Sequence, residues 1–279
     1  MAAWGLAMAG FGIDYSYGQG LTTAQMHRGG VTFVCRYLAY LPNGKCINKA
    51  EFDNLVKAGI KVVLVWEQDG RDCMGGRARG VAHAQEAAKQ AHALTGSNEA
   101  VIYFAPCDFD AAPGMQPLIN GYLDGAASVI GHGRTGMYGG FWPLSRALDG
   151  RHAAYGWQTY AWSGTNLDRR ASLYQYHNGV RFGPAEVDYD KSFHDDFGQW
   201  PRPHAAPAPA HAPAAPAKPP AFYEHTANGT DTWAEIASGR NMQPGSFAAE
   251  QWELGQDTAN KLFGSFVPPA GAKYRTKHP

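Results

Sequence analysis

At 279 residues the chain is long enough for one large domain or two smaller ones and can bury a substantial core. Its 24 basic and 24 acidic side chains balance, and neither sign dominates a long stretch, which argues against a nucleic-acid binder. No segment reaches the ~18 apolar residues of a membrane span. The opening MAAWGLAMAGFGIDYS has no Lys or Arg ahead of its apolar run, so no secretory signal peptide is expected.

In chain order, short apolar runs predict strands at 10–14, 31–37, 61–67, 101–108, 135–139, 155–160, 173–176 and 186–190. Helical patterns fall between them at 48–58, 77–94, 116–130 and 143–148. Apolar strands alternating with helices imply a parallel sheet covered on both faces. Eight strands in this order predict an α/β fold, a (β/α)8 TIM-like barrel, with a doubly wound open sheet as the alternative. The later helices look short or missing. The run PRPHAAPAPAHAPAAPAKPP has nothing to anchor a core and predicts an extended linker. The expected organisation is a barrel at 1–200, a Pro/Ala-rich linker at 201–221 and a small module at 222–279. Cys35 and Cys107 sit in apolar runs as expected buried thiols, and Cys46 and Cys73 lie in loop-like sequence where they could pair.

Acids recur where the predicted strands finish. Asp14 closes the first and Glu67 the third, Asp108 and Asp110 the fourth, and Asp188 and Asp190 lie at the last. In a barrel those ends converge on one mouth, the seat of chemistry in that fold. Asp108 and Asp110 would share a face of a continuing strand, with α-carbons about 6.6 Å apart. Glycoside hydrolysis needs two carboxyl groups, at about 5–5.5 Å for retention or 6.5–9.5 Å for inversion, so this spacing fits either outcome. A lone Asp at a strand end is more often a helix cap, so the series rather than any one member is the signal. A D-x-D pair can also hold a divalent cation, but no Gly-rich phosphate loop accompanies it; neither metal nor cofactor is expected. Trp66, Trp157 and Trp162 near strand ends could offer sugar-stacking faces, and burial accounts for them equally well.

Several of these segments resemble a known family. GIDYSYGQG at 12–20 resembles the G-x-D-x-S-x-x-Q opening strand of family 25 glycoside hydrolases, the lysozyme-type muramidases common among phage endolysins. IYFAPCDFDA at 102–111 takes the place of that family's fourth-strand D-x-E, SLYQYHNG at 172–179 is similar to its W-Q-Y strand, and AEVDYDKSF at 185–193 to its closing V-D-x-N segment. CDFDA, VWEQDG and DFGQWPRP are more similar still to a glycoside-hydrolase-like domain of unknown function from actinobacteria and their phages. The resemblance implies Asp14, Asp108, Asp110, Asp188 and Glu67 as active-site acids. Asp110 stands where family 25 places its general acid, a glutamate, and is one methylene shorter. Tyr15, Gln19, Trp66, Tyr138, Gln175 and Tyr176 are the accompanying candidate substrate contacts. In the tail, NGTDTWAEIASGRNM at 228–242 looks like the first half of a LysM repeat, and PPAGAKYRT at 268–276 resembles its closing segment.

Together these readings predict a peptidoglycan hydrolase of endolysin or muramidase type, with a barrel that cleaves and a tail that attaches to the wall. Without a leader it would reach the wall through a phage holin or as a virion component. The alternative is a glycan-binding or phage-tail protein that keeps the barrel without turnover, which the Glu-to-Asp difference at Asp110 favours.

Overall fold

The computed structural model describes residues 10–17, 20–40 and 44–203, together with the backbone of two strands at 223–226 and 273–276. The chain divides into two units, Met1–Ala206 and Pro207–Pro279. In the first, the elements run β1 (Gly10–Asp14), α1 (Thr23–Arg28), β2 (Phe33–Leu38), α2 (Lys49–Lys57), β3 (Lys61–Trp66), α3 (Gly76–Thr95), β4 (Ile102–Phe104), α4 (Gln116–Ile130), β5 (Thr135–Gly139), α5 (Phe141–Asp149), β6 (Tyr155–Thr159), β7 (Leu173–Phe182) and β8 (Ala185–Ser192). The eight strands close into a barrel in sequence order.

Strands β1 to β7 pair in parallel, but β8 is antiparallel to both β7 and β1. The expected (β/α)8 repeat is therefore corrected to five βα units followed by three strands. The reason is local. β7 and β8 are separated only by Gly183 and Pro184, with Gly183 at φ +58°, and so short a connection can only reverse the chain. No helix spans 160–172, between β6 and β7.

Alternation along the strands sorts their side chains into two sets. Ile13, Val34, Val62, Leu64, Trp66, Ile102 and Phe104 face outward under the helices. Phe33, Cys35, Val63, Val65, Tyr103, Trp157 and Leu173 fill the barrel interior, with Phe197. Gly12 and Gly136 make room there, since a Cβ would lie 2.3 Å from the Phe33 ring and 2.6 Å from that of Tyr103. Trp66 is thus fully buried against Tyr40 and His83, and the expectation that it stacks on a substrate is corrected by its outward position.

Helix α1 escapes the sequence pattern because it is one short turn with a single apolar anchor, Met26. A capping box between Thr22 and Gln25 starts it. Strand β4 ends at Phe104 rather than continuing to residue 108. Beyond it the chain turns to the loop after β3, where Cys73 N–H donates to the Pro106 carbonyl and Asp108 N–H to that of Gly70, at 2.8 and 2.9 Å. A Cys73–Cys107 disulfide, Cα atoms 6.1 Å apart, ties the same two loops. Cys107 is therefore not a free thiol, and Cys73 pairs with it rather than with Cys46.

In the second unit, Tyr223–Thr226 and Lys273–Thr276 form a two-stranded antiparallel sheet, with Tyr223 opposite Thr276. The linker core and the repeat-like segment at 228–242 lie outside the described residues.

Helices α3 and α4 approach through glycines: a Cβ on Gly80 would sit 1.9 Å from the Tyr122 carbonyl oxygen, and one on Gly125 2.2 Å from that of Arg77. The obstacle is rigid backbone, so Gly125→Ala is expected to cost about 3 kcal/mol or more. Urea unfolding of the two proteins measures it; an unchanged midpoint contradicts this packing.

Candidate functional site

The inward rows of the strands end on the polar residues of the mouth. On β1 the series Gly10, Gly12 places Asp14 inside, on β2 Phe33 and Cys35 lead to Tyr37, and on β3 Val63 and Val65 lead to Glu67. Tyr138 ends the series on β5, and Gln175 follows Leu173 on β7. Because β8 runs backwards, its earlier residue is the one nearer the mouth. Asp188 lies opposite Asp14, and Asp190 sits one layer deeper, opposite Gly12.

Gln175 organises these groups. Its amide nitrogen donates to Asp14 Oδ2 at 2.8 Å and to Asp188 Oδ2 at 3.1 Å, while its oxygen accepts from the Tyr138 hydroxyl at 2.9 Å. Tyr37 donates to Asp14 Oδ1 at 3.0 Å, and the Gly179 N–H to Asp188 Oδ1 at 2.8 Å. Beneath them Trp157 Nε1 donates to Asp190 Oδ1 at 2.8 Å. Asp190 is completely buried, and its Oδ2 meets no donor. Burial first, and then the Asp14 charge, raise the Asp190 pKa well above the usual range. Burial, with Asp188 next, raises Asp14 to about 6. A proton on Asp190 Oδ2, shared toward Asp14, accounts for both observations, since adjacent buried carboxyls cannot both ionise cheaply.

Two adjoining cavities open here. One of about 210 Å3 is lined by Glu67, Asp108, Tyr138, Trp157, Gln175 and Lys45 among others. The other, about 390 Å3, runs from Asp14 and Tyr17 to Arg181 and Glu186 on the β7–β8 hairpin. Ser16, Tyr37 and Asp188 line both. Lys45 pairs with Glu67 at 2.7 Å and lies 4.2 Å from the Tyr37 ring centre. Burial and the Glu67 charge raise the Asp108 carboxyl, with Lys45 opposing them.

Of the sequence-selected acids, Asp14, Glu67, Asp108 and Asp188 thus meet at one mouth. Asp110 does not: like Asp108 it is exposed, but it lines neither cavity. Its expected pairing with Asp108 on one strand face fails because β4 ends four residues before Asp108. Tyr138 and Gln175 line the smaller cavity. Tyr15 borders the larger one but is nearly buried, donating its hydroxyl to Glu51 at 3.0 Å with Arg36 stacked 4.3 Å from its ring centre. Tyr176 projects from the outer side of β7, beside Tyr189 and Lys191, so its placement at the mouth is also corrected. Gln19 lies outside the described residues.

Sequence reasoning passed over Tyr37, Lys45 and a structural role for Asp190. The i, i+2 rule from Phe33 and from Asp188 would have found the first and last. Lys45, on a loop, carries no such signal. Among the described residues, no cluster of three or more His, Cys, Asp or Glu could hold a metal ion, and no helix is long and apolar enough to cross a membrane.

A closed barrel with four carboxylates gathered at its mouth defines a glycosidase-like domain. The chain belongs to the Rv2525c-like, glycoside hydrolase-like domain family, whose model matches residues 24–193. Rv2525c of Mycobacterium tuberculosis, described as a candidate peptidoglycan hydrolase, is 28% identical over 200 residues, 67% of this chain and 82% of its own length. Crystal structures of that Tat-secreted protein, with HEPES and with L-tartrate, superpose at a TM-score of 0.63, covering 68% of this chain and 98% of theirs. A family 25 glycosyl hydrolase from Bacillus anthracis matches at 11% identity and a TM-score of 0.44 over 68% of this chain and 91% of that one, too distant to transfer anything.

The buried acids set a stability trend. A carboxyl whose folded pKa exceeds its unfolded value binds its proton more tightly in the native state. For Asp14 the penalty therefore grows as pH rises from 3.8 to about 6 and is complete above that. Asp190→Asn keeps an acceptor for Trp157 and supplies a permanent donor to Asp14. It is expected to stabilise the protein at pH 7 by roughly 1–2 kcal/mol and to flatten the loss between pH 4 and about 6. Thermal melts across that range check it, and destabilisation at pH 7 contradicts the shared proton.

Proposed function

We propose that the protein is a glycoside hydrolase that acts on the glycan strands of peptidoglycan at the bacterial cell wall. The observation that carries this reading is the arrangement of the mouth. Asp108 stands at the cavity with a raised pKa beside the Lys45–Glu67 pair, facing the carboxylates held by Gln175. A carboxyl that holds its proton more tightly than a free one suits protonation of a glycosidic oxygen.

In the proposed mechanism Asp108 is the general acid. Asp188, fixed by Gln175 and the Gly179 N–H, presents the negative charge that stabilises an oxocarbenium-like transition state. Asp14 lies behind it, and the Glu67 charge keeps Asp108 protonated to higher pH. Asp110 is displaced from the role that the sequence resemblance implied. The name of the mycobacterial relative supports the choice of polymer. So does the tail, which we read as a LysM-like wall-binding module: an antiparallel strand pair brackets residues 227–272, as a repeat with terminal strands would.

A second reading, a glycan-binding barrel without turnover, is favoured by the exposed position of Asp110. Incubation with purified cell walls and assay of new reducing ends separates the two. Wild type is expected to release fragments, Asp108→Asn to lose at least about 100-fold in rate, and Asp110→Asn to keep more than half. Tight wall binding without fragments replaces the enzyme with the second reading.

The pH dependence tests the partner of the acid. The rate should fall as pH rises through the Asp108 pKa. Glu67→Gln removes a charge that raises that pKa, so the alkaline limb of the kcat/KM profile should move to lower pH. A limb that moves the other way rules out Asp108 as the general acid.

A further inference from the structure

A separate pocket lies at the opposite end of the barrel from the acid mouth. It opens around the starts of β1, β2 and β3 and the end of antiparallel β8, and the residues after β8 complete it. Its volume is about 310 Å3, at the lower end of ordinary small-ligand sites.

One observation sets it apart from a surface hollow. Ser192, which lines it, is completely buried, and its hydroxyl meets no hydrogen-bond partner. Ser192 stands opposite Gly10 across the β1–β8 seam. Gly10 leaves the space beside that hydroxyl open, since a Cβ there would lie 3.1 Å from Ser192 Oγ and 2.8 Å from Thr32 Oγ1. A buried hydroxyl without a partner costs stability, and alanine would serve the strand without that cost. Closure of the sheet therefore gives no reason for the hydroxyl, whereas a ligand in the pocket does.

The other lining groups decide the charge of that ligand. Lys61 is exposed, with its ammonium 5.4 Å from the ring centre of Phe197, and among the described residues it forms no ion pair. His27, in the last turn of α1, donates from Nε2 to the Ala58 carbonyl at 3.0 Å, which steadies its ring. His194 follows β8 and is exposed. An ammonium, two imidazoles and an uncommitted hydroxyl thus line one cavity, against a single carboxylate, Asp195. Such a donor set suits an oxyanion. The donors come from α1, β3, β8 and the segment after it, so they surround the ligand. That arrangement fits the tetrahedral oxygens of phosphate better than the two coplanar oxygens of a carboxylate.

We propose that this pocket binds a phosphate group, free or carried by a small organic molecule, with Ser192 and Lys61 as its principal donors. The site is independent of the acid mouth and of the glycan reading.

Isothermal titration of the full chain with inorganic phosphate and with glycerol 3-phosphate, at constant ionic strength, tests it. One saturable site is expected for both, with acetate at least about tenfold weaker. Tighter binding of the ester assigns the site to a phosphorylated organic molecule and equal affinity assigns it to free phosphate, both within the proposal. Ser192→Ala should weaken phosphate binding about tenfold while leaving the Tm measured without phosphate unchanged or higher. Lys61→Gln should weaken binding by a similar factor, and Asp195→Asn, which removes a like charge, should tighten it about threefold. Absence of saturable binding overturns the site, as does phosphate affinity unchanged in both Ser192→Ala and Lys61→Gln. Acetate binding as tight as phosphate overturns the ligand class. A lower Tm of Ser192→Ala without phosphate overturns the argument that the hydroxyl serves a ligand rather than the fold.

Discussion

Sealing β8 between β7 and β1 is the constraint on which the rest of this domain depends, and at the mouth that seam passes through carboxyl groups. Asp14 and Asp190 are buried where unpaired charges would be prohibitive. The Gln175 amide, the Tyr37 hydroxyl and the Trp157 ring nitrogen supply donors to them. A retained proton on Asp190 removes the remaining conflict. The same groups close the sheet and shape the cavity, so stability and site are coupled here: the raised carboxyl pKa values of Asp14 and Asp190 destabilise the fold near neutral pH, while Asp14 and Asp188 line the cavity.

A second set of constraints delivers Asp108. It stands on no strand; the Cys73–Cys107 bond and the backbone bonds to Pro106 and Gly70 bring its loop beside Glu67. Apolar packing does the rest of the work. Inward rings cross beneath the cavity floor, where Trp157 meets Tyr138 and Tyr103 edge-on, while α3 and α4 approach through Gly80 and Gly125 on the outside. The rim above is a different environment, polar within.

Much of this was legible in the chain. Strands β1 and β5 and helix α4 lie at their predicted bounds, because each is a clear periodic run with glycine or proline near its ends. Asp14 and Glu67 could be placed at strand ends for the same reason, whereas Gln175, inside β7, was singled out only by the family resemblance. Other residues were misplaced by one step of alternation. Trp66 and Trp157 look alike in sequence, yet one faces the helices and the other the barrel interior, and Tyr176 is turned outward by its single-residue offset from Gln175. Alternation gives two faces without saying which is inside.

By itself, then, the sequence determined where apolar periodicity begins and ends, and that acids recur at those points, since both are properties of neighbouring residues. Tertiary structure alone decided that β8 runs backwards and places Asp188 at the mouth with Asp190 below it. It also decided that Cys107 bonds to Cys73, that Lys45 reaches Glu67, and that Asp108 borders the smaller cavity while Asp110 borders neither. The reason is physical: charge, burial and pKa are set by groups brought together from distant parts of the chain, and closure of the barrel is what brings these together.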